Sequence, residues 1–535
     1  MSANQSQSVT AAAAAAIALL LLAATPAARA DQPAGNTGTA PASPPNPSSS
    51  SAAASSGAAA TTAPRVAFQR GTEAFKRGEF DTAVREMEEA VQVNANDAEA
   101  LGWLGFLLLR KNDPERAIGY LERSAQLRPD VAGTHINLGN AYVQRKQTDR
   151  AIESFRQAVQ INDQAAKTPE TQRSSGEALN NLGAAYLRQA QYDEAIRAFR
   201  RANDANPRDA RTWNSLAYAY QKTGRAPEAI EAYNRSVQIA PNDPVAFANL
   251  GGLELARGNT SAAITALEKA RTLDPSQAGV LLDLGRAYAR AKRNVEAASA
   301  FGAAADLQPD QAMPRYNQGV LLAEGNRFVD AAKAYEQALA INPNHFDALV
   351  NLGFVRFRQN NMAEAAKQFE AAARATQKPA EQALAYSNLG AALTRSNDRA
   401  GATNAFRRAA ALDPKDYESR ALIASYLLEQ KKTPEAIQFY RQAAALRPRS
   451  AEAQNALGLA YQEAKNYDAA AQAFRRAIVL DRRYAYAYNN LGVIYEQRGQ
   501  IPEAIAQYRR ALAINPKLTD ARDNLARYKG TAVGG

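Results

Sequence analysis

Small and bulky apolar residues return along this chain at one interval. From residue 64 onward, an Ala followed by Ile, Val, Ala or Thr stands at 83, 117, 151, 195, 229, 263, 297, 331, 365, 402, 436, 470 and 504, spaced by 34 residues except for 44 at 151–195 and 37 at 365–402. Twelve positions earlier the residue is Gly in eleven cases, among them Gly139, Gly353 and Gly492, and Ala in the other two, Ala217 and Ala424. Four positions after the Ala comes a bulky side chain, mostly aromatic, as at Phe155, Phe199, Tyr233, Phe369 and Tyr508. Residues four apart share a helix face. The pattern predicts two antiparallel helices per unit, crossing closely where both residues are small, with the bulky side chain filling the space that they leave. Pro closes nine units, at 129, 207, 241, 275, 309, 343, 414, 448 and 516, where it ends the second helix.

These residues carry a resemblance to the tetratricopeptide repeat family. Its pattern, W-x2-L-G-x2-Y followed by A-x3-F-x2-A and P, is nearly complete in NNLGAAYLRQAQYDEAIRAFRRANDANP (180–207) and NNLGVIYEQRGQIPEAIAQYRRALAINP (489–516). Thirteen such units tile 64–518, with insertions at 166–175 and 380–382. The resemblance implies an all-α fold, a right-handed superhelical solenoid of about 13 helix-turn-helix repeats whose first helices line a concave groove. Physical reasoning agrees, because one helix pair cannot bury its own apolar face and each unit is stabilised by its neighbours.

The ends depart from the repeat. Ala11–Ala24 is an apolar run of about 21 Å as a helix, short of a hydrocarbon core of about 30 Å. It is followed by Ala28-Arg29-Ala30, so residues 1–30 read as a signal peptide of an exported bacterial type, with a mature start at Asp31 in the periplasm or outside the cell. The stretch before the run, MSANQSQSVT, has no Lys or Arg, which leaves retention as an anchor as the alternative. Residues 31–63, rich in Ala, Pro, Ser and Thr with one charge and no aromatic, read as a disordered linker. Residues 519–535 read as a short polar capping helix and tail, and Arg70, where the family has Leu, caps the other end with charge.

Composition narrows the chemistry. With no Cys and only two His, at 135 and 345, the chain has no thiol catalysis, zinc ribbon or HExxH site. There is no phosphate-binding GxxxxGK[ST] motif, the repeats leave no room for a separate catalytic domain, and neither enzymatic activity nor a cofactor is expected. The formal charge of +11 is mild when spread along the chain, so nucleic acid is not an expected partner.

The candidate site is the inner face of the first helices. The family geometry points unit positions 2, 5, 6, 9, 12 and 13 inward. Position 6 is Asn at Asn137, Asn181, Asn249, Asn317, Asn351, Asn388 and Asn490, and position 5 adds Asn180, Asn214, Asn455 and Asn489. An amide offers donors and an acceptor, so such a file suits the backbone of an extended peptide. It resembles the Asn ladder in the repeats of O-linked N-acetylglucosamine transferase, whose catalytic domain has no counterpart here. The competing reading is that these Asn residues seat one first helix against the next. Two apolar stretches, with Trp103 and Phe106 in the first and Tyr316, Phe354 and Phe357 in the second, are the expected anchors for apolar side chains. Basic residues at position 13, such as Arg110, Arg358 and Arg395, read as cations at helix C-termini. The pairs Arg407/Arg408, Arg475/Arg476 and Arg509/Arg510 read as solvated outer surface. The expected function is an envelope scaffold binding extended polypeptide segments of other proteins. The alternatives are a regulatory or targeting subunit of an envelope enzyme, polymer-export or secretion complex, and, ranked last, a polyanion binder.

Overall fold

The structure is a computed structural model that describes residues 62–528. The signal-peptide reading of 1–30, most of the linker and the tail after 528 lie outside the described residues. Among the described residues there are 27 helices and no strand. The chain divides into two compact parts, whose described portions are 62–293 and 294–528. The first holds six consecutive helix pairs and then the helix Ala278–Arg290. The second holds the helix Asn294–Leu307, six further pairs and the short helix Thr519–Ala526. The first helix begins at Thr62, two residues ahead of the expected first unit, because Pro64 falls in an opening turn whose N–H groups have no intrahelical acceptor.

A regular pair has a first helix of 13 residues and a second of 14, as in Ala98–Arg110 and Pro114–Leu127. Asp97, Asp113, Asp209, Asp243 and Asp416 open helices by accepting backbone N–H bonds on their carboxylates, which satisfies donors that the helix itself leaves free. Between the two helices of each unit one residue takes a left-handed φ, thirteen in all, from 57° at Ala190 to 84° at Gly258. Only four of the thirteen are Gly. The insertions are absorbed as extra helical turns: Thr148–Gln164 and Pro379–Arg395 reach 17 residues, and Pro169–Arg188 reaches 20. Thr168 and Thr171 start the longest by exchanging side-chain and backbone bonds of 3.2 and 2.9 Å.

The crossing of the two helices is as tight as the spacing implied. A Cβ placed on Gly353 would lie 2.6 Å from a ring carbon of Phe369, and the same holds within 0.1 Å for Gly139 on Phe155, Gly183 on Phe199, Gly390 on Phe406 and Gly458 on Phe474. Carbon atoms ordinarily meet at about 3.5–4.0 Å. Each of these rings is fully buried, and burying a side chain of that size stabilises by about 1.5–3 kcal/mol. The packing pairs a missing side chain with a large one, and the core of each part is a run of such contacts.

Candidate functional site

The inner faces of the first helices are built by a recurrent hydrogen bond. Asn249 donates its side-chain N–H to Asn214 at 3.1 Å, Asn490 to Asn455 at 2.9 Å, and Asn524 of the final short helix to Asn489 at 3.0 Å. Asn351 donates to the Tyr316 hydroxyl at 3.3 Å. In all four the donor follows the acceptor by 35 residues, one repeat plus one. The sixth residue of a unit therefore meets the fifth residue of the unit before it. Where that fifth residue is Ile136, which cannot accept, Asn181 turns to Asn140 at 3.1 Å. Where it is Val350, Asn388 has no such acceptor, and its carbonyl oxygen is buried without a partner, as is that of Asn351.

Burial extends beyond these bonds. Asn137 and Asn181 are 0% exposed, Asn388 1%, Asn351 3%, and Asn249 and Asn490 7%; Asn317 alone of the seven is half-buried. In this arrangement the file seats successive first helices on each other. A peptide meeting this face reaches Asn317 directly, but the other six only if packed side chains move aside. A polar residue at the fifth place one repeat upstream marks the helix-seating role for Asn249, Asn351 and Asn490, but Asn137, Asn181 and Asn388 are buried with Gly102, Ile136 and Val350 there, so the sequence alone does not separate the two roles.

The two apolar stretches differ. Trp103 and Phe106 join Phe68, Phe75 and Phe80 in a network of edge-to-face and tilted rings with centroids 5.4–6.5 Å apart. Phe106 is fully buried and Trp103 nearly so, and they fill the core between the first units. In the second stretch Tyr316 and Phe357 are buried, while Phe354 and Val320 are half-buried and Met313 is 46% exposed. Met313, Asn317 and Val320 project from Ala312–Glu324 and Phe354 from the next first helix, Phe346–Arg358. This leaves a short strip of accessible apolar surface with one amide in it. Burial pushes the Tyr316 hydroxyl up from its ordinary value, and nearby Asp347 adds to this, so it stays protonated at neutral pH.

His345 borders the strip. Its ring stacks on Tyr316 at 4.8 Å, its Nε2 lies 3.4 Å from the sulfur of Met313, and its Nδ1 accepts the Ala348 N–H, capping Phe346–Arg358. His135 instead places Nε2 3.0 Å from the Pro129 carbonyl. The basic residues at position 13 lie over rings: Arg358 over Phe354 and Phe328, and Arg395 over Phe357, at 5.2–5.8 Å. Among the described residues no cluster of His, Asp or Glu forms a metal site, and no helix is long and apolar enough to cross a membrane.

Comparisons with known proteins agree with this architecture. The profile of the Cilia and flagella-associated protein 70 C-terminal domain matches residues 11–313. Tetratricopeptide repeat profiles match 316–380 and 485–518, and TPR repeat profiles match 424–465 and 463–499. Since the first match takes in more than half of the chain, the chain belongs to the tetratricopeptide-repeat family that this domain represents. Repeats of this type are in general protein-interaction scaffolds. No curated protein sequence matches the chain. Among solved structures it is similar to the APC/C hetero-tetramer Cut9-Hcn1, at 15% identity over 88% of this chain and 99% of that one with a TM-score of 0.34. It is also similar to PilF of Pseudomonas aeruginosa, at 17% over 41% and 96% with a TM-score of 0.36. A third is YrrB, described as a TPR protein with an unusual peptide-binding site, at 22% over 42% and 97% with a TM-score of 0.29. At these identities and scores the likeness says nothing of function.

Proposed function

We propose that the protein is an exported scaffold of the cell envelope that holds an extended polypeptide segment of another protein on the inner face of Ala312–Glu324 and Phe346–Arg358. The observation that carries this reading is the accessible strip of Met313, Val320 and Phe354 around the half-buried Asn317. Apolar side chains of the segment cover the strip, and Asn317 bonds its backbone, which fixes direction where apolar contact alone does not. Tyr316, Phe357, Asn351 and Asn388 support the strip from beneath. The test is selection of peptides on the immobilised full chain, followed by calorimetric titration of a selected peptide. Phe354→Ala with Asn317→Ala weakens binding by roughly tenfold or more while helix content is unchanged. Equal affinity for the double variant places the binding surface elsewhere. Export is tested apart from this, by sequencing the N-terminus of the protein from the cell-envelope fraction: a start at Asp31 supports it, and an intact N-terminus in the cytosol overturns it.

A further inference from the structure

The positive charge of this chain is concentrated at one end. Residues 399–528 carry 21 Lys and Arg against 13 Asp and Glu, a surplus of eight within a whole-chain balance of +11. The repeat register sorts these cations into columns. Arg407, Arg441, Arg475 and Arg509 stand one repeat apart on four successive second helices, and all four are exposed. Lys415, Arg449, Arg483 and Lys517 stand one repeat apart on the turns that follow those helices, also exposed.

The same register shows that much of this charge has lost its counterpart. In the first two units the Arg407 place is acidic, and it pairs with a cation 28 residues on: Glu88 with Arg116 and Glu122 with Arg150, each at 2.6 Å; the next two units carry Arg156 and Arg200 there. In the late units the signs are reversed. Arg407 still finds Glu435 at 2.8 Å, but the residue 28 positions after Arg441 is Ala469, and Arg475 bonds the Tyr495 hydroxyl at 2.9 Å instead of a carboxylate. Among the described residues no ion pair engages Arg441, Arg449, Arg476, Arg483 or Arg509. Like charges left unneutralised one repeat apart repel one another, and an anionic partner relieves that repulsion.

We propose that the outer face of the last four helix pairs docks an acidic polypeptide segment that crosses successive second helices, with Arg441, Arg475 and Arg509 as its main contacts. This surface is separate from the inner-face strip and does not rest on it. The spacing favours a polypeptide. Successive second helices are bridged by the first helix between them rather than packed on each other, and an extended polypeptide, at about 3.3 Å per residue, brings a carboxylate to each Arg across that wider step while small neutral residues span the gap. A continuous row of phosphates would also meet Asp413, Asp468 and Glu503, which lie among the cations, and would be repelled there.

The experiment titrates the purified full chain into a fluorescent 15-residue peptide with Glu at every third position and Ser and Gly between, reading anisotropy. Binding is expected at low salt and lost by about 0.5 M NaCl, where screening shortens to a few ångström. The triple variant Arg441→Glu, Arg475→Glu, Arg509→Glu is expected to bind at least about tenfold more weakly, with helix content and thermal midpoint checked by circular dichroism. A control variant, Arg200→Glu, Arg235→Glu, Arg271→Glu, makes the same change in net charge on exposed second-helix positions of the other part and is expected to bind as the parent does. Equal loss in both variants reduces the effect to net charge and overturns the site. No loss in the first variant overturns it as well. Duplex DNA or phosphatidylglycerol vesicles bound more tightly than the peptide at equal salt would assign the surface to a nucleic acid or a membrane instead.

Discussion

Replacing Gly353 by Ala should destabilise the protein, although the same change normally strengthens a helix. Gly to Ala in a helix interior gains about 1 kcal/mol from backbone entropy alone. At Gly353 the new methyl carbon would lie 2.6, 2.8 and 3.0 Å from three carbons of the Phe369 ring, roughly an ångström inside ordinary contact. The ring is fully buried, so it has no free direction to move. Overpacking of this kind costs about 1–3 kcal/mol. The lower part of that range is excluded by the number of short contacts, and the upper part by Ala217 and Ala424, which fill the equivalent place beside Tyr233 and Tyr440 in a folded array. The net expectation for Gly353→Ala is a loss of about 1 kcal/mol, and for Gly353→Leu a loss of more than about 2 kcal/mol. Gly119 is the matched control, since a Cβ there meets nothing within 4 Å, and Gly119→Ala should gain about 0.5–1 kcal/mol. Repeat arrays unfold in parts, so the assay is hydrogen exchange by mass spectrometry, reading opening free energies of 346–375 for one variant and 114–127 for the other. Equal stabilisation by both Ala substitutions would refute the close-crossing argument.

Other expectations follow from the same geometry. Asn490→Ala leaves the Asn455 carbonyl without its donor inside a buried contact, and should cost about 1–3 kcal/mol in the opening of 451–497, measured by hydrogen exchange. Lys431 holds φ at 61°, so Lys431→Gly should stabilise its turn by up to about 1 kcal/mol, read as a higher midpoint in urea. Burial pushes the His135 imidazole below its ordinary value, outweighing the Pro129 carbonyl, which raises it. The folded state therefore binds fewer protons than the unfolded chain, the stability it contributes is present above the unfolded value near 6.5, and it is lost as pH falls through that value. His135→Gln should flatten the dependence of stability on pH between 7 and 5 in thermal denaturation.

The repeat was legible because it rests on close contacts between residues of extreme size. Gly353 facing Phe369 has few alternatives, and a period that preserves it along the chain announces the helix pair. Faces were less legible. Asn181, Asn249 and Asn490 share a sequence position with Asn317, yet six of the seven Asn are buried between helices and one is half-buried, because exposure depends on the side chains that neighbouring units pack around each one. Trp103 and Phe106 read as anchors but are held in a ring network with Phe75, since neighbouring units supply aromatic partners that a single unit does not show. The charge columns of 399–528 are visible in the sequence once it is folded into 34-residue rows. Counting charge over the whole chain conceals them.

The proposed binding of a polypeptide on the accessible strip of Ala312–Glu324 and Phe346–Arg358, beside Asn bonds that hold the helices together, fixes where amide protection should appear. Hydrogen exchange of the full chain with and without a saturating selected peptide tests it most directly. Added protection is expected in 312–324 and 346–358, with no change in 62–144. Protection confined to 62–144, or to the second helices of the last four pairs, would contradict it.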